Sequence, residues 1–120
     1  HSGTKVAIII SYSRPVGIDL ENIRPNIPAI AAKFVSEAEF RHFENQLDNH
    51  ALHVIWCAKE ILFKLYAKGN VDFRRDLKVE SLKSEEKGTA TACIDKPDFK
   101  ATISINYREL DGCLLAWAAM

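Results

Sequence analysis

Apolar and polar residues alternate over short stretches at both ends of the chain, while apolar residues crowd into one longer stretch near its middle. The β-branched run 5–11 and the alternating run 16–21 flank turn-forming residues 12–15, so together they predict a β-hairpin. Four more strands are predicted downstream: 77–82, 89–94, 101–105 and 113–118. Turn-forming residues divide these four: Gly88, Pro97, Asp111 and Gly112.

The middle of the chain predicts helices. Residues 51–68 contain no Pro or Gly and stop at Gly69, which favours a helix whose apolar residues cover most of its circumference and which is therefore buried. Before it, Pro25 and Pro28 mark a short helical stretch to about residue 34. The pattern Ser36-x-x-Glu39 is a capping box, which predicts a mostly exposed helix reaching about residue 47.

These elements predict an α+β fold in which an antiparallel sheet packs on the long buried helix. The chain has 120 residues, of which 48% are apolar, so we expect residues 1–120 to form one domain. Its first residue is His1 rather than Met, and we therefore expect the natural start to have been lost through cloning, processing or cutting.

Charge and cysteine content indicate which partners and which cellular compartment suit the chain. Sixteen basic and sixteen acidic residues cancel, so no global charge attracts the chain to nucleic acid or to a membrane surface. The apolar runs 6–10 and 114–120 are shorter than the roughly 20 residues that span a bilayer. The three cysteines are odd in number and lack C-x-x-C spacing, which favours a reducing, cytoplasmic location.

Two carboxylates share one face of a predicted strand. The period of two places Asp19 and Glu21 on the face opposite Val16, Ile18 and Leu20. Hard oxygen ligands suit magnesium, which takes few protein carboxylates and completes its shell with phosphate and water. On spacing alone, a solvated acidic edge strand explains the same pair.

The long helix carries a third acid. Glu60 follows Trp56 by one turn and precedes Lys64 by one turn, and Lys59 is its neighbour. If this face is buried, the Glu60 carboxylate requires a cation or several donors. A simple Glu60–Lys64 pair on a solvated helix face is the alternative, and the residues alone leave both open.

These segments together resemble the 4'-phosphopantetheinyl transferases. Residues 17–21 (Gly-Ile-Asp-Leu-Glu) are similar to the family's G-hydrophobic-D-hydrophobic-E strand, and residues 56–64 (Trp-Cys-Ala-Lys-Glu-Ile-Leu-Phe-Lys) to its W-x-x-K-E motif with a following lysine. Between them, residues 33–40 (Lys-Phe-Val-Ser-Glu-Ala-Glu-Phe) are similar to a third family segment. The opening His1-Ser2-Gly3 resembles the end of a family S-H-S motif, although a remnant of an expression tag would also begin with His.

The resemblance implies a magnesium site formed by three carboxylates: Asp19, Glu21 and Glu60. It also implies three contacts to the phosphates of coenzyme A: His1, Lys59 and Lys64. The implied reaction transfers 4'-phosphopantetheine from coenzyme A to a serine of an acyl or peptidyl carrier protein, as in holo-acyl-carrier-protein synthases. Glu39 matches a family glutamate that deprotonates this serine, Lys64 is the rival base, and the capping box alone also explains Glu39.

The segment resembles the second half of the larger, surfactin-synthetase-activating type, which has two halves in tandem. We therefore expect residues 1–120 to be the C-terminal half, weakly active alone unless it pairs with itself. The alternative is a non-catalytic module of the same fold that binds carrier proteins or coenzyme A. His50, His53 and Cys57 also fall in the long helix, and we expect structural roles for them rather than a metal cluster.

Overall fold

The described chain forms an antiparallel sheet packed against a long α-helix. The computed structural model describes residues 15–83 and 85–120, so the predicted strand 5–11, its turn at 12–14 and His1 lie outside the described residues. The strands are β1 (Val16–Asn22), β2 (Leu77–Ser81), β3 (Lys87–Lys96), β4 (Phe99–Leu110) and β5 (Cys113–Ala119). The α-helices are α1 (Glu37–Phe43) and α2 (Asn49–Tyr66), and 3₁₀ helices span Ile27–Lys33 and Glu44–Gln46.

The strands lie in the order β1-β5-β4-β3-β2, and each neighbouring pair is antiparallel. The predicted α+β fold with an antiparallel sheet is thus confirmed. The predicted strand break at Gly88 is wrong, because Gly88 lies within β3 and pairs with Tyr107 of β4. A Cβ atom at Gly88 would lie 2.8 Å from the Tyr107 hydroxyl, so the glycine makes room for that ring instead of ending the strand.

Local signals fix the ends of α2. The Asp48 carboxylate accepts a hydrogen bond from the Ala51 amide at 2.8 Å and caps the helix N-terminus. The helix ends at Ala67, which has a left-handed conformation with φ 61°, two residues before the predicted stop at Gly69. Its buried side chains pack against β1, β2, β3 and β5 and form the centre of the core.

The segment between β1 and α2 contains α1 and both 3₁₀ helices and is partly exposed. The predicted capping box is present, since the Ser36 side chain accepts from the Glu39 amide and the Glu39 side chain accepts from the Ser36 amide. Helix α1 ends at Phe43, earlier than predicted, because Glu44 has φ 47° and the chain continues as a 3₁₀ helix. None of the helices in the two described ranges is long and apolar enough to cross a membrane.

Candidate functional site

The acidic face of β1 is turned toward α2. Gly17 lies on this face, and a Cβ atom there would come within 2.9 Å of the Ile61 side chain. Asp19 and Glu21 alternate with Gly17 along the strand and therefore share that face. Asp19 is only 7% exposed, so the alternative of a fully solvated acidic edge is wrong for this residue.

The two oxygens of the Asp19 carboxylate differ in their hydrogen bonding. Its Oδ1 accepts from the Lys64 ammonium at 3.2 Å, and the same ammonium donates to the Ile18 carbonyl at 2.8 Å. Its Oδ2 is buried and has no hydrogen-bond partner within the part of the chain that the structure describes. A buried carboxylate oxygen of this kind is costly unless a cation or donor reaches it.

The pKa values of Glu21 and Glu60 are both raised, by burial and by the nearby Asp19 carboxylate. Burial raises the pKa of Glu21, and the neighbouring Asp19 raises it further, while Trp56 and Arg24 oppose the shift. Burial likewise raises the pKa of Glu60, followed by Asp19 and then Glu21, whereas Lys64 lowers it. The three carboxylates thus repel one another across the β1–α2 junction, and a bound cation would relieve this repulsion.

Lys64 connects the two elements. The sequence left open a simple pair with Glu60 on a solvated helix face, but the ammonium of Lys64 reaches instead to Asp19 of β1. Glu60 is half-buried one turn earlier on α2. Lys64 therefore partly neutralises the acidic cluster, which we define as Asp19, Glu21 and Glu60.

The chemistry of the acidic cluster fits magnesium. Its donors are hard carboxylate oxygens, and one of them, Asp19 Oδ2, is buried and unpartnered among the described residues. In residues 15–83 and 85–120, however, no three His, Cys, Asp or Glu side chains are gathered closely enough to hold a metal ion. Magnesium commonly uses only one or two protein carboxylates together with substrate phosphates, so a closed three-ligand cage is not required for binding.

Glu39 and Lys59 lie away from this cluster and bind each other. Their side chains are 1% and 0% exposed, and the Lys59 ammonium donates to Glu39 Oε1 at 2.7 Å. The same ammonium donates to the carbonyls of Phe34 at 2.6 Å and Phe73 at 2.8 Å. The other Glu39 oxygen accepts from the Val79 amide at 2.8 Å.

This pair changes the interpretation of two predicted site residues. All three donors of the Lys59 ammonium are used inside the protein, which leaves none for a phosphate of coenzyme A. The Glu39 carboxylate is buried and accepts hydrogen bonds on both oxygens, so it is not placed to take a proton from a serine. In this geometry the two side chains bind each other and join α2 to the chain on either side of it.

A pocket of about 180 Å³ opens beside Glu21. Its apolar lining is supplied by Ile27, Ile30, Phe34 and Trp56, and its polar lining by Glu21, Arg24, Asn26 and His53. The guanidinium of Arg24 lies 3.6 Å from the Glu21 carboxylate. Arg24 was not among the predicted site residues, although its position three residues after Glu21 could have suggested an ion pair between the two.

Two other residues singled out in the long helix, His53 and Cys57, lie in its packed interior. His53 Nε2 accepts from the Arg24 amide at 3.0 Å, and its Nδ1 lies 2.7 Å from the Asn49 carbonyl. Cys57 is buried behind the acidic cluster, and burial followed by Asp19 raises its pKa well above the ordinary thiol value. Both arrangements agree with the structural roles expected for these residues.

Comparison with known proteins identifies the family. A model of the 4'-phosphopantetheinyl transferase superfamily matches residues 15–117 of this chain. The chain therefore belongs to the 4'-phosphopantetheinyl transferase superfamily.

Two curated relatives carry the same family name. A 4'-phosphopantetheinyl transferase of Bacillus subtilis is 29% identical over 103 residues, which cover 82% of this chain and 42% of that protein. The 4'-phosphopantetheinyl transferase psf-1 of Bacillus pumilus is 32% identical over 115 residues, which cover 92% of this chain and 46% of that protein. The chain thus spans less than half the length of these two relatives.

Proposed function

We propose that this chain is the metal-binding half of a 4'-phosphopantetheinyl transferase that modifies a carrier-protein serine with the phosphopantetheine group of coenzyme A. The observation that carries the proposal is the placement of the acidic cluster, with Lys64 beside it, at the junction of β1 and α2. Membership of the superfamily and the names of both relatives support the same activity.

In this proposal Asp19, Glu21 and Glu60 hold magnesium. When bound, the ion would neutralise phosphate oxygens of coenzyme A and complete its shell with them and with water. The buried Oδ2 of Asp19 supports this assignment, because it is a ready acceptor that no described donor satisfies. Glu21 and Glu60, whose pKa values are raised by burial and mutual repulsion, would return toward ordinary values once a cation is present.

Lys64 is the proposed phosphate contact. Its side chain is 47% exposed while its ammonium touches Asp19, so it lies at the edge of the cluster, within reach of an incoming anion. In the transfer, the serine oxygen bonds to the β-phosphorus of coenzyme A as the bond to the bridging oxygen breaks. The serine proton passes to a base, and 3',5'-adenosine bisphosphate leaves. Glu39 is buried and paired, which disfavours it as this base. Lys64, the other proposed base, would have to lose its own proton before it could accept one from the serine.

The chain is further proposed to be the C-terminal half of a tandem enzyme of the surfactin-synthetase-activating type. Both relatives are more than twice as long as their matched regions, which supports a chain that is one part of a longer enzyme. The other half would supply contacts to the nucleotide beyond those proposed for His1 and Lys64. A holo-acyl-carrier-protein synthase activity in the cytoplasm is the corresponding role of the whole protein.

The direct test is a mass measurement. The full-length natural protein is incubated with coenzyme A, magnesium and several apo carrier proteins, and we expect a carrier to gain the mass of phosphopantetheine. Asp19→Ala and Glu60→Ala should abolish the gain, whereas Glu37→Ala, which removes an exposed glutamate of α1, should preserve it. Unchanged mass of every carrier with the unmutated protein would refute the transferase proposal.

A further inference from the structure

The first turns of α2 hold the backbone of a single residue beyond β1. The amide of Arg24 donates to His53 Nε2 at 3.0 Å. The carbonyl of Arg24 accepts from the Asn49 side-chain amide, also at 3.0 Å. Both main-chain groups of Arg24 are therefore fixed by residues that lie 25 and 29 positions later in the sequence.

The partners of His53 define its protonation state. A backbone amide can only donate, so Nε2 of the ring must carry a lone pair. A backbone carbonyl can only accept, so Nδ1, which lies 2.7 Å from the Asn49 carbonyl, must carry the proton. These two contacts require a neutral imidazole with its hydrogen on Nδ1, and protonation of Nε2 would place two donors against each other.

We call the two hydrogen bonds from Asn49 and His53 to the backbone of Arg24 the clamp. The clamped residue, Arg24, lies next to the acidic cluster. The Arg24 guanidinium is 3.6 Å from the Glu21 carboxylate, and Arg24, Glu21 and His53 line the same pocket. The guanidinium is 58% exposed, so the ion pair alone holds it only weakly. A fixed backbone limits the positions that this side chain can sample beside Glu21.

We propose that His53 is a positioning residue: in its neutral form, together with Asn49, it fixes the backbone of Arg24 and so holds Arg24 against Glu21. The consequence for catalysis rests on the proposed function, in which Glu21 is a magnesium ligand. Residues that orient a ligand commonly change metal affinity or activity by about 10- to 100-fold when they are removed. His53 does not touch the reacting groups in this arrangement and acts only through Arg24.

Acid should release this clamp. Burial lowers the pKa of His53, and the nearby charges of Arg24 and His50 lower it further, against the raising effects of the backbone carbonyls of Asn49 and Asn22. The titratable or charged groups around the ring are His50 on its own helix, Arg24 beyond β1, and Glu21 across the pocket. Below the ordinary histidine pKa the unfolded chain takes up a proton that the native ring resists, so the stabilising contribution is present above about pH 6.5 and is lost as pH falls.

Nuclear magnetic resonance of the 120-residue chain tests the clamp without any activity. We expect the His53 ring to carry its proton on Nδ1 at pH 7 and to titrate at a lower pH than it does in the urea-unfolded chain. We also expect the Arg24 amide to be protected from hydrogen exchange until the ring titrates. An Nε2-protonated ring at pH 7, or a ring that titrates without changing the Arg24 amide, would overturn the proposal.

Activity of the full-length natural protein tests the positioning role. His53→Leu should raise the magnesium concentration needed for half-maximal transfer about tenfold, with little change in the rate at saturating magnesium. His53→Gln, whose side chain can donate and accept one hydrogen bond each and does not titrate, should restore most of the magnesium affinity. In the unmutated protein, protonation of His53 in acid should weaken magnesium binding. Because glutamine does not titrate, His53→Gln should lack this part of the acid-dependent loss. His50→Gln is the matched control and should leave the magnesium requirement at pH 7 unchanged.

Three results would contradict the role: an unchanged magnesium requirement in His53→Leu, a loss of maximal rate alone, or the same defect in His50→Gln. If His53→Leu does not fold, the pH profile of His53→Gln decides, and a profile identical to that of the unmutated protein overturns the proposal. Absence of transfer by the unmutated protein would refute the proposed function, while the resonance experiment would still decide whether the clamp exists.

Discussion

Lys59 and Glu60 are neighbours in sequence but lie in different environments. Lys59 is fully buried and donates to one carboxylate and two carbonyls, whereas Glu60 is half-buried and belongs to the acidic cluster. Adjacent positions on a helix are separated by about 100°, so one points into the protein and the other along its edge.

The buried Glu39–Lys59 pair leads to a prediction about stability. Lys59→Met removes the ammonium and leaves the Glu39 carboxylate buried without its charged partner. Breaking a buried pair in this way costs about 3–5 kcal/mol, and urea denaturation of the chain should show a loss of this size. Glu39→Leu combined with Lys59→Met should cost less than the sum of the single changes, because neither charge is then left alone.

The control for this prediction is Glu37→Gln on the same short helix. Glu37 is 82% exposed and pairs only loosely with Arg41 at 4.0 Å, so its replacement should change the free energy of unfolding by less than about 1 kcal/mol. Equal effects of Glu37→Gln and Lys59→Met would contradict the structural role assigned to Lys59.

At the scale of elements, the approach of β1 to α2 creates the site. The backbone at Gly17 is so close to α2 that a methyl group would lie 2.9 Å from the Cγ2 atom of Ile61. Asp19 follows two residues later on the same face of the strand. The spacing between strand and helix therefore also sets the spacing between Asp19 and the carboxylate of Glu60.

Gly17→Ala should accordingly destabilise the chain. Forcing a methyl group into this contact should cost about 1–3 kcal/mol, measured by urea denaturation. In an Ile61→Ala background the obstructing Cγ2 atom is absent, so the same Gly17→Ala change should cost less. Equal costs in the two backgrounds would show that the strand and helix are not in the close contact described.

A second element-level feature is the loop that joins α2 to β2. The Asp76 carboxylate accepts from the Arg75 side chain at 3.0 Å, from the Asp72 amide at 2.9 Å and from Lys96 at 3.4 Å. Together, chiefly through Arg75, these donors lower the pKa of Asp76 to about 2 from an ordinary value of 3.8. The loop is thereby tied to β3, since the Asp95 amide also donates to the Asp76 carbonyl.

This shift predicts a pH dependence with a definite sign. A lowered carboxylate pKa contributes stability that is present above pH 3.8 and is lost as the pH falls through about 2. Asp76→Asn should therefore lower stability at pH 7 and flatten its decline between pH 4 and pH 2, as measured by thermal denaturation across that range. Asp95→Asn, which alters an exposed pair with Lys100, should leave the decline unchanged. The same acid slope in Asp76→Asn and the unmutated chain would contradict the shift.

At the scale of the whole molecule, the chain spans less than half the length of its two relatives. Its acidic cluster offers ligands for a cation, but within the described ranges only a few basic side chains, such as Arg24 and Lys64, lie beside it for a nucleotide with several phosphates. The proposed two-half enzyme would bring the remaining contacts from elsewhere in the protein.

The isolated 120-residue chain is therefore expected to be a weak transferase. Magnesium and coenzyme A together should raise its melting temperature less than that of the full-length protein, because a weaker ligand stabilises less at the same concentration. The Asp19→Ala variant of the same 120 residues should show no shift that depends on magnesium. Rapid carrier modification by the isolated unmutated chain at low protein concentration would contradict the need for a second half.

The sequence by itself determined the elements and the chemistry of the acidic cluster. Hydrophobic periodicity and turn residues predicted the order of the described strands and helices, because these signals are local. The motifs that contain Asp19, Glu21 and Glu60 predicted a hard-cation site through their resemblance to the family, while the spacing alone left a solvated face open. The superfamily that those motifs resemble is the one to which the chain belongs.

Only the tertiary structure decided which charged side chains are paired inside the protein and which remain exposed. Glu39 and Lys59 lie 20 residues apart and Arg24 and His53 lie 29 apart, so their pairing depends on how α2 packs across the sheet. Burial then determines whether a charge is consumed internally, as at Lys59, or remains at the surface of a site, as at Lys64. The sequence gives the type of each residue, but the partner and the exposure of its side chain depend on how the molecule packs.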